Sequence, residues 1–210
     1  MAKLDLSVRV DKSWTRADPE LVAALGEHPV AHLGDAMQRL GICDGGITPV
    51  WRGARCAGSA VTVVGPAGDN LAVIEAMETV VETGDILVVN GFGHVHRGLV
   101  GDQISSRLQA RGVVGAVIDG AVRDRARIEE IRFPVWARGA NPAGPFKNGP
   151  GAIGEPVAVG GVVCASGDVV VADDDGVVVI PAARAEQIHA AVLQVHENEA
   201  RMSAEVHTAY

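Results

Sequence analysis

The sequence predicts a mixed α/β domain built on parallel strands. Three observations predict it. Between Ile86 and Arg138 the chain alternates strand, helix, strand, helix, strand, the pattern of parallel strands joined by crossover helices. Valine, alanine and glycine are heavily used while aromatic residues make up only 3%, which suits an aliphatic, β-rich core with tight turns. The 210 residues suffice for one sizeable core and no linker-like stretch divides them, so residues 1–210 are expected to form a single domain.

Each element follows in order. "DPELVAAL" starts a helix, with Asp18 as N-cap and Pro19 at the first helical position. "GDAMQRLG" is expected to be a second short helix, stopped by Gly41. "GSAVTVVG" is a strand. In "DNLAVIEAMETVVETG", Leu71, Ile74, Met77, Val80 and Val81 recur at helical spacing, with an end at Gly84. "DILVVN" is a short buried strand, and "GFGHVHRGLVG" reads as a glycine-rich loop. "DQISSRLQARG" is a helix and "VVGAVID" a buried strand, after which Asp119-Gly120 is expected to turn the chain. A helix over Asp124 to Ile131 and a strand "PVWAR" follow. Asn141 to Gly154, rich in Gly, Pro and Asn, reads as a long loop. "PVAVGGVVCASGDVVVADDDGVVVIP" holds short β runs with turns at Gly160-Gly161, Ser166-Gly167 and Asp175-Gly176. A C-terminal helix over 182–207 completes the chain.

Composition excludes several classes. The net charge is −8 and no Lys/Arg run exists, which argues against a nucleic-acid partner. Cys43, Cys56 and Cys164 are far apart and in no CxxC pair, so neither a disulfide framework nor a zinc knuckle is indicated. No 18-residue apolar run suggests a membrane span, and "MAKLDLSVRVDKSW" has no apolar leader pattern; a cytoplasmic setting is expected.

Four constellations bear on chemistry. Arg123-Asp124 directly follows a buried strand, and ligands of α/β sheets bind beyond the carboxyl ends of strands; the plainer role is a surface pair at a helix start. Asp102 opens the preceding helix, as its N-cap or as a functional carboxylate facing the same crevice. A helix start there aims the backbone N–H groups of Gln103 and Ile104 at an anion. Two carboxylates plus water suit a hard octahedral Mg²⁺ or Mn²⁺ ion. On the C-terminal helix, Ile188, Val192, Val195, Met202 and Val206 form one stripe, and Glu199 lies on it while Glu197 does not. A carboxylate on an apolar seam needs a cation; the readings are a frayed helix end or a helix that packs on another subunit and carries Glu199 into its site. Finally, Gly91-Phe92-Gly93 is half of a dinucleotide fingerprint, with His96 where the third glycine belongs. His94 and His96 lack an obvious third ligand, and the acidic run Asp173 to Gly176 reads as a plain turn.

The segments "GDAMQRLG", "GDQISSRLQARGVVGAVIDGAVRD", "FPVWARGANP" and "GDVVVADDDGVVVIP" together resemble the family of 4-hydroxy-4-methyl-2-oxoglutarate/4-carboxy-4-hydroxy-2-oxoadipate aldolases, which also contains the regulator of ribonuclease activity A. Most specific is the spacing of Asp102, twenty residues, then Arg123-Asp124. The resemblance implies an αββα sandwich like the swivelling phosphohistidine domain, assembled into trimers or hexamers with sites between subunits. It implies a divalent-metal (class II) pyruvate aldolase that cleaves 4-hydroxy-2-oxo diacids to pyruvate plus a 2-oxo acid. Oxaloacetate decarboxylation is the expected side activity, since it leaves the same enolate. By this resemblance Asp124 holds Mg²⁺ or Mn²⁺ largely through waters, Asp102 orients a metal-bound water, and Arg123 contacts the pyruvyl carbonyl oxygen. The amides of Gln103 and Ile104 hold the pyruvyl carboxylate, and Glu199 of a neighbouring chain helps arrange the metal waters. One departure stands out: Arg127 occupies a position where many aldolases of the family carry an acid. A different class remains open beside the enzyme, a non-catalytic regulator that docks on a ribonuclease-type partner.

Overall fold

A computed structural model describes the backbone of residues 7–209 and the side chains of residues 7–196 and 198. The elements in order are β1 (Val8–Val10), α1 (Pro19–Gly26), α2 (Val30–Ala36), β2 (Thr48–Pro49), β3 (Cys56–Val64), α3 (Leu71–Thr79), β4 (Asp85–Val100), α4 (Asp102–Ala110), β5 (Gly115–Val122), α5 (Arg125–Glu130) and β6 (Val135–Ala140). Then come β7 (Gly151–Ile153), β8 (Val157–Val159), β9 (Val162–Cys164), β10 (Val169–Asp173), β11 (Gly176–Ile180), a 3₁₀ turn (Ala182–Arg184) and α6 (Ala185–Ala209).

The main sheet runs β1-β7-β3-β4-β5-β6-β2, and its centre, β3 to β6, is parallel. All eight residues of β5 are buried, as expected of a strand covered on both faces. The outer edge of β3 is shared: β10 pairs its first half and β7 its last two residues, both antiparallel. The β10–β11 hairpin divides two cores, and its residues sort by the period of two. Val170, Ala172, Val177 and Val179 join the main core with α3, α4 and α5. Val169, Val171, Val178 and Ile180 face a second core closed by Leu25 of α1, Leu33 of α2, and Ile188 and Val192 of α6. No described helix is long and apolar enough to cross a membrane.

Several expectations need correction. The helix expected over "GDAMQRLG" lies earlier: Val30, Leu33 and Met37 make its buried stripe, and Gln38 and Arg39 leave the helix at φ 56° and 65°. The glycine-rich stretch after Asn90 is not a loop, because β4 continues to Val100 and pairs with β5 through three register shifts. Gly91 permits this: a Cβ there would meet Leu99 Cδ1 at 2.7 Å and the Asp119 carbonyl at 2.8 Å. Asp119-Gly120 does not turn the chain, since β5 runs straight through it. Asp119 is instead a buried tie: it accepts hydrogen bonds from Arg138 Nε and from the Gly160 amide (2.8 Å), while Arg138 also grips Asp44. α3 stops at Thr79 rather than Gly84, and the loop from Asn141 contains β7. The apolar stripe of α6 does not wait for another subunit in its first turns, because Ile188 and Val192 are buried by this chain's own second core.

Candidate active site

β4, β5 and β6 end side by side, and the chain leaves them at one crevice. The Arg123 amide donates to Val100 O (2.9 Å) and the Asn141 amide to Val122 O (2.9 Å), so the three strand ends are tied beyond the regular ladder. Arg123 therefore emerges at the carboxyl end of the sheet centre, the place where α/β sheets bind ligands.

Three glycines shape the space around Arg123. A Cβ on Gly98 would stand 2.9 Å from Arg123 Cβ, and one on Gly101 would stand 2.9 Å from Arg123 Cγ and 3.0 Å from Nε. A Cβ on Gly144 would stand 3.3 Å from its Nη1. Any larger residue displaces the side chain. Arg123 Nε pairs with Asp124 Oδ2 at 3.2 Å, and each side chain is 39% exposed. Asp124 is the residue before α5 and sits at φ 57°, a left-handed conformation that aspartate tolerates better than most residues. Its carboxylate does not cap the helix. The backbone strain is thus not repaid by a capping bond, and the carboxylate stays directed to Arg123.

Asp102 is not the N-cap. Gly101 holds that place, its carbonyl accepting from the Ser105 amide at 3.0 Å. Asp102 begins the helix instead, and its Oδ1 accepts from the Gln103 amide at 2.7 Å. Of the two amides expected to meet an anion, Gln103's is therefore engaged by Asp102, while Ile104's has no partner among the described residues. Gln103, Ile104 and Arg123 all line one cavity of about 380 Å³, together with Asn70, Arg107 and Lys147. Asp102 and Asp124 adjoin lining residues in sequence but do not line it, although Gly101, pressed against Asp124, does. Another cavity, about 240 Å³ beside Arg16 and Asp85, lies at the opposite, amino-terminal ends of β3 and β4.

The carboxylates at the site suit a hard cation. Among the described residues no three His, Cys, Asp or Glu side chains converge as a metal cage, and His94 and His96 meet in an edge-on ring contact. One or two carboxylates with open positions for water match Mg²⁺ or Mn²⁺, which keep much of their hydration. Asp124, exposed and free of capping duty, fits that description. Arg127 is close to this site. Its guanidinium is held above its ordinary pKa chiefly by hydrogen bonding to Glu130, with a smaller attraction from Asp102. The side chains of Glu199 and Glu197 lie outside the described residues.

Gly98, Gly144, Arg107 and Lys147 join the site without having been expected from sequence. Glycine count alone gives no signal of such a cradle, because the atoms that need the room belong to a residue distant in sequence. Arg107 is legible in principle, one helical turn beyond Gln103 on the same face.

Comparison with known proteins is consistent with this geometry. The family model described as RraA-like, Aldolase/RraA, matches residues 30–179. A Halalkalibacterium halodurans protein named "Putative 4-hydroxy-4-methyl-2-oxoglutarate aldolase" is 33% identical over 174 residues, covering 83% of this chain and 82% of its own. The crystal structure of Streptomyces coelicolor RraAS2, described as an unusual member of the RNase ES inhibitor RraA protein family, superposes with a TM-score of 0.81 at 33% identity, covering 91% of this chain and 98% of that one. The RNA-processing inhibitor RraA from Thermus thermophilis gives a TM-score of 0.67 at 28% identity, over 73% of this chain and 93% of its own.

Proposed function

The chain belongs to the RraA-like (Aldolase/RraA) family, and on that premise we propose that it is a divalent-metal-dependent pyruvate aldolase. Its substrates are 4-hydroxy-2-oxo diacids such as 4-hydroxy-4-methyl-2-oxoglutarate or 4-carboxy-4-hydroxy-2-oxoadipate, with oxaloacetate decarboxylation as a side reaction. The observation that carries the reading is Arg123, fixed among three glycines at a cavity whose charged lining is cationic.

The reaction breaks the C3–C4 bond. Its electron pair passes to the pyruvyl half as an enolate, the 4-hydroxyl loses its proton to become the carbonyl of the second 2-oxo acid, and a proton returns to C3. Negative charge grows on the C2 oxygen. A guanidinium already in place there stabilises that charge more than it stabilises the ground-state carbonyl. Arg123 has this role because Nε is committed to Asp124 and its two terminal nitrogens remain for the substrate. The Ile104 amide, at the positive end of α4, receives the pyruvyl carboxylate. Gln103's amide joins it once Asp102 turns away to handle protons, positioning water beside the 4-hydroxyl and C3. Asp124, with Asp102 and a neighbouring chain's Glu199 acting through waters, would hold the Mg²⁺ or Mn²⁺ ion, which would supply Lewis-acid stabilisation. That role for Glu199 makes the working unit a homo-oligomer, a trimer or hexamer. The αββα layering would then follow the swivelling phosphohistidine plan.

A rival reading, a regulator that docks on a ribonuclease-type partner, draws on the names of two structural relatives. The decisive assay is pyruvate release from a panel of 4-hydroxy-2-oxo diacids and oxaloacetate, before and after EDTA dialysis, with Mg²⁺ or Mn²⁺ restored. Release that needs the metal supports the aldolase. Full turnover in metal-free protein sinks the metal-dependent mechanism, and no release from any substrate favours the regulator.

A further inference from the structure

The cavity beside Arg123 lies between α3 and α4 under the segment Gly144 to Lys147. Its charged lining is Arg107, Arg123 and Lys147, and among the described residues no Asp or Glu lines it. The three cations are not equivalent. Arg123 belongs to the reacting carbonyl. Arg107 is already answered by Glu78 of α3, whose other oxygen takes Arg111 at 2.5 Å. Lys147 has no carboxylate partner among the described residues.

The backbone on both sides of Lys147 is clamped. The Phe146 amide donates to Gly68 O (2.8 Å) and Phe146 O accepts from the Asn70 amide (3.0 Å). Asp69, only 7% exposed, uses Oδ2 to accept the amides of Asn148 (2.6 Å) and Gly149 (3.2 Å). Arg97 donates to Gly144 O at 2.6 Å and lies 3.9 Å from the centre of the Phe146 ring. A nearly buried carboxylate and a second arginine thus fix the segment that carries a lysine with no ion-pair partner. Lys147 is itself exposed, so what sets it apart is the clamped backbone that carries it.

We propose that Lys147 reads the second carboxylate of the substrate, making it the residue that selects 2-oxo diacids over 2-oxo monoacids. The proposal rests on the aldolase reading above. With the first carboxylate at the start of α4 and the C2 oxygen at Arg123, a diacid carries its second negative charge into the same cavity, whose remaining cation without a carboxylate partner among the described residues is the exposed Lys147. A cation there gives that carboxylate a charge partner beside two other cationic side chains. An ammonium on a four-carbon stem is a point charge with three rotatable donors, so it accepts distal carboxylates at somewhat different positions where a bidentate arginine would demand one. Fixing its backbone in advance leaves only side-chain freedom to be lost on binding.

The test reads binding and not turnover. Pyruvate and 2-oxoglutarate, a diacid with no 4-hydroxyl to cleave, are titrated calorimetrically into the full-length protein in Mg²⁺ buffer at fixed ionic strength. Lys147→Met and Lys147→Arg are compared with wild type. Wild type is expected to favour 2-oxoglutarate. Lys147→Met is expected to lose about 10- to 100-fold of that affinity while pyruvate changes less than about 2-fold, and Lys147→Arg to keep most of the preference. Equal losses for both ligands, no loss for either, or a wild type that binds pyruvate at least as well as 2-oxoglutarate would overturn the assignment to Lys147 while leaving the aldolase reading intact. A wild type that binds neither acid removes the aldolase reading and this inference with it.

Discussion

Replacing Gly101 by alanine separates chemistry from folding. Gly101 sits at φ −136°, ψ −168°, extended backbone that alanine adopts without strain. The added Cβ, however, would stand 2.5 Å from Asp124 Oδ2, where ordinary contact begins at 3.4 Å. The carboxylate must retreat by about 0.9 Å, the difference of those distances, and Arg123 Nε, at 3.0 Å, by about half as much. Both side chains are 39% exposed and have room to swing outward, so the fold tolerates the shift. Losing a good capping residue costs about 1 kcal/mol or less, a fall of roughly 2–4 °C in Tm for a chain of this size. The reaction does not tolerate it, because about 1 Å of misplacement at a catalytic group costs on the order of 100-fold, about 2.7 kcal/mol of barrier. The assay is kcat/KM for pyruvate release beside a melting curve. A variant with kcat/KM within about 3-fold of wild type would refute the glycine cradle as a device for placing the Arg123-Asp124 pair. Gly98→Ala is the contrast: its Cβ would meet the Arg123 amide nitrogen and the Asn141 carbonyl, each at 3.0 Å. Backbone cannot swing away, so stability should fall along with activity.

Two further outcomes follow from charges elsewhere in the chain. Arg16→Ala strands the fully buried Asp85, which takes Arg16 Nε at 2.8 Å and Nη2 at 2.9 Å, and should cost about 3 kcal/mol in urea denaturation, the low end for a broken buried pair because Arg16 remains 30% exposed. A loss below about 1 kcal/mol would show that water or the Glu82 amide already satisfies the carboxylate. His28 is held below its ordinary pKa by burial first and then by repulsion from His196, His189 and His32, against a weaker pull from Glu27. Its native form is neutral, so its contribution is fully present above about pH 6.5 and is lost as pH falls through the lowered folded value. Urea midpoints measured from pH 7.5 to 5 should fall more steeply for wild type than for His28→Gln, and parallel curves would exclude His28 as the source.

The parallel centre of the sheet is legible because strands buried on both faces leave unbroken apolar runs, and β5 is such a run from Gly115 to Val122. Arg123-Asp124 is legible for the same reason, since it stands directly beyond that run. Elsewhere the structure departs from the sequence pattern wherever tertiary contact overrides it. "GDAMQRLG" offers Met37 and Leu40 at helical spacing, yet Leu40 is 66% exposed and the chain has already left the helix at Gln38. The extension of β4 looks like a loop because its glycines answer to Leu99 and Asp119, which no local pattern connects with them. On α6, Ile188 and Val192 are buried at the expected spacing while the side chains of Met202 and Val206 lie outside the described residues, and a period cannot say whose core will cover it.

A displacement of one residue also changes a role. With Asp102 as N-cap, its carboxylate would bond an amide two or three residues further on, inside the first turn. With Gly101 in that place, Asp102 is one residue inside, and its strongest bond is to the adjacent Gln103 amide. That bond keeps one anion-binding donor occupied until an anion arrives to compete for it. On the proposed aldolase reading, exchange of the Asp102 carboxylate for a substrate carboxylate at the Gln103 amide would release Asp102 as the proton moves. On that reading the glycine at the cap matters twice: it makes room for the Arg123-Asp124 pair, and it leaves Asp102 on an amide that a substrate carboxylate can take over. Both consequences come from the lack of a side chain at one position. Candidate groups such as Asp102, Arg123 and Asp124 announce themselves in a sequence by their chemistry, whereas the glycine packed against them has none to show.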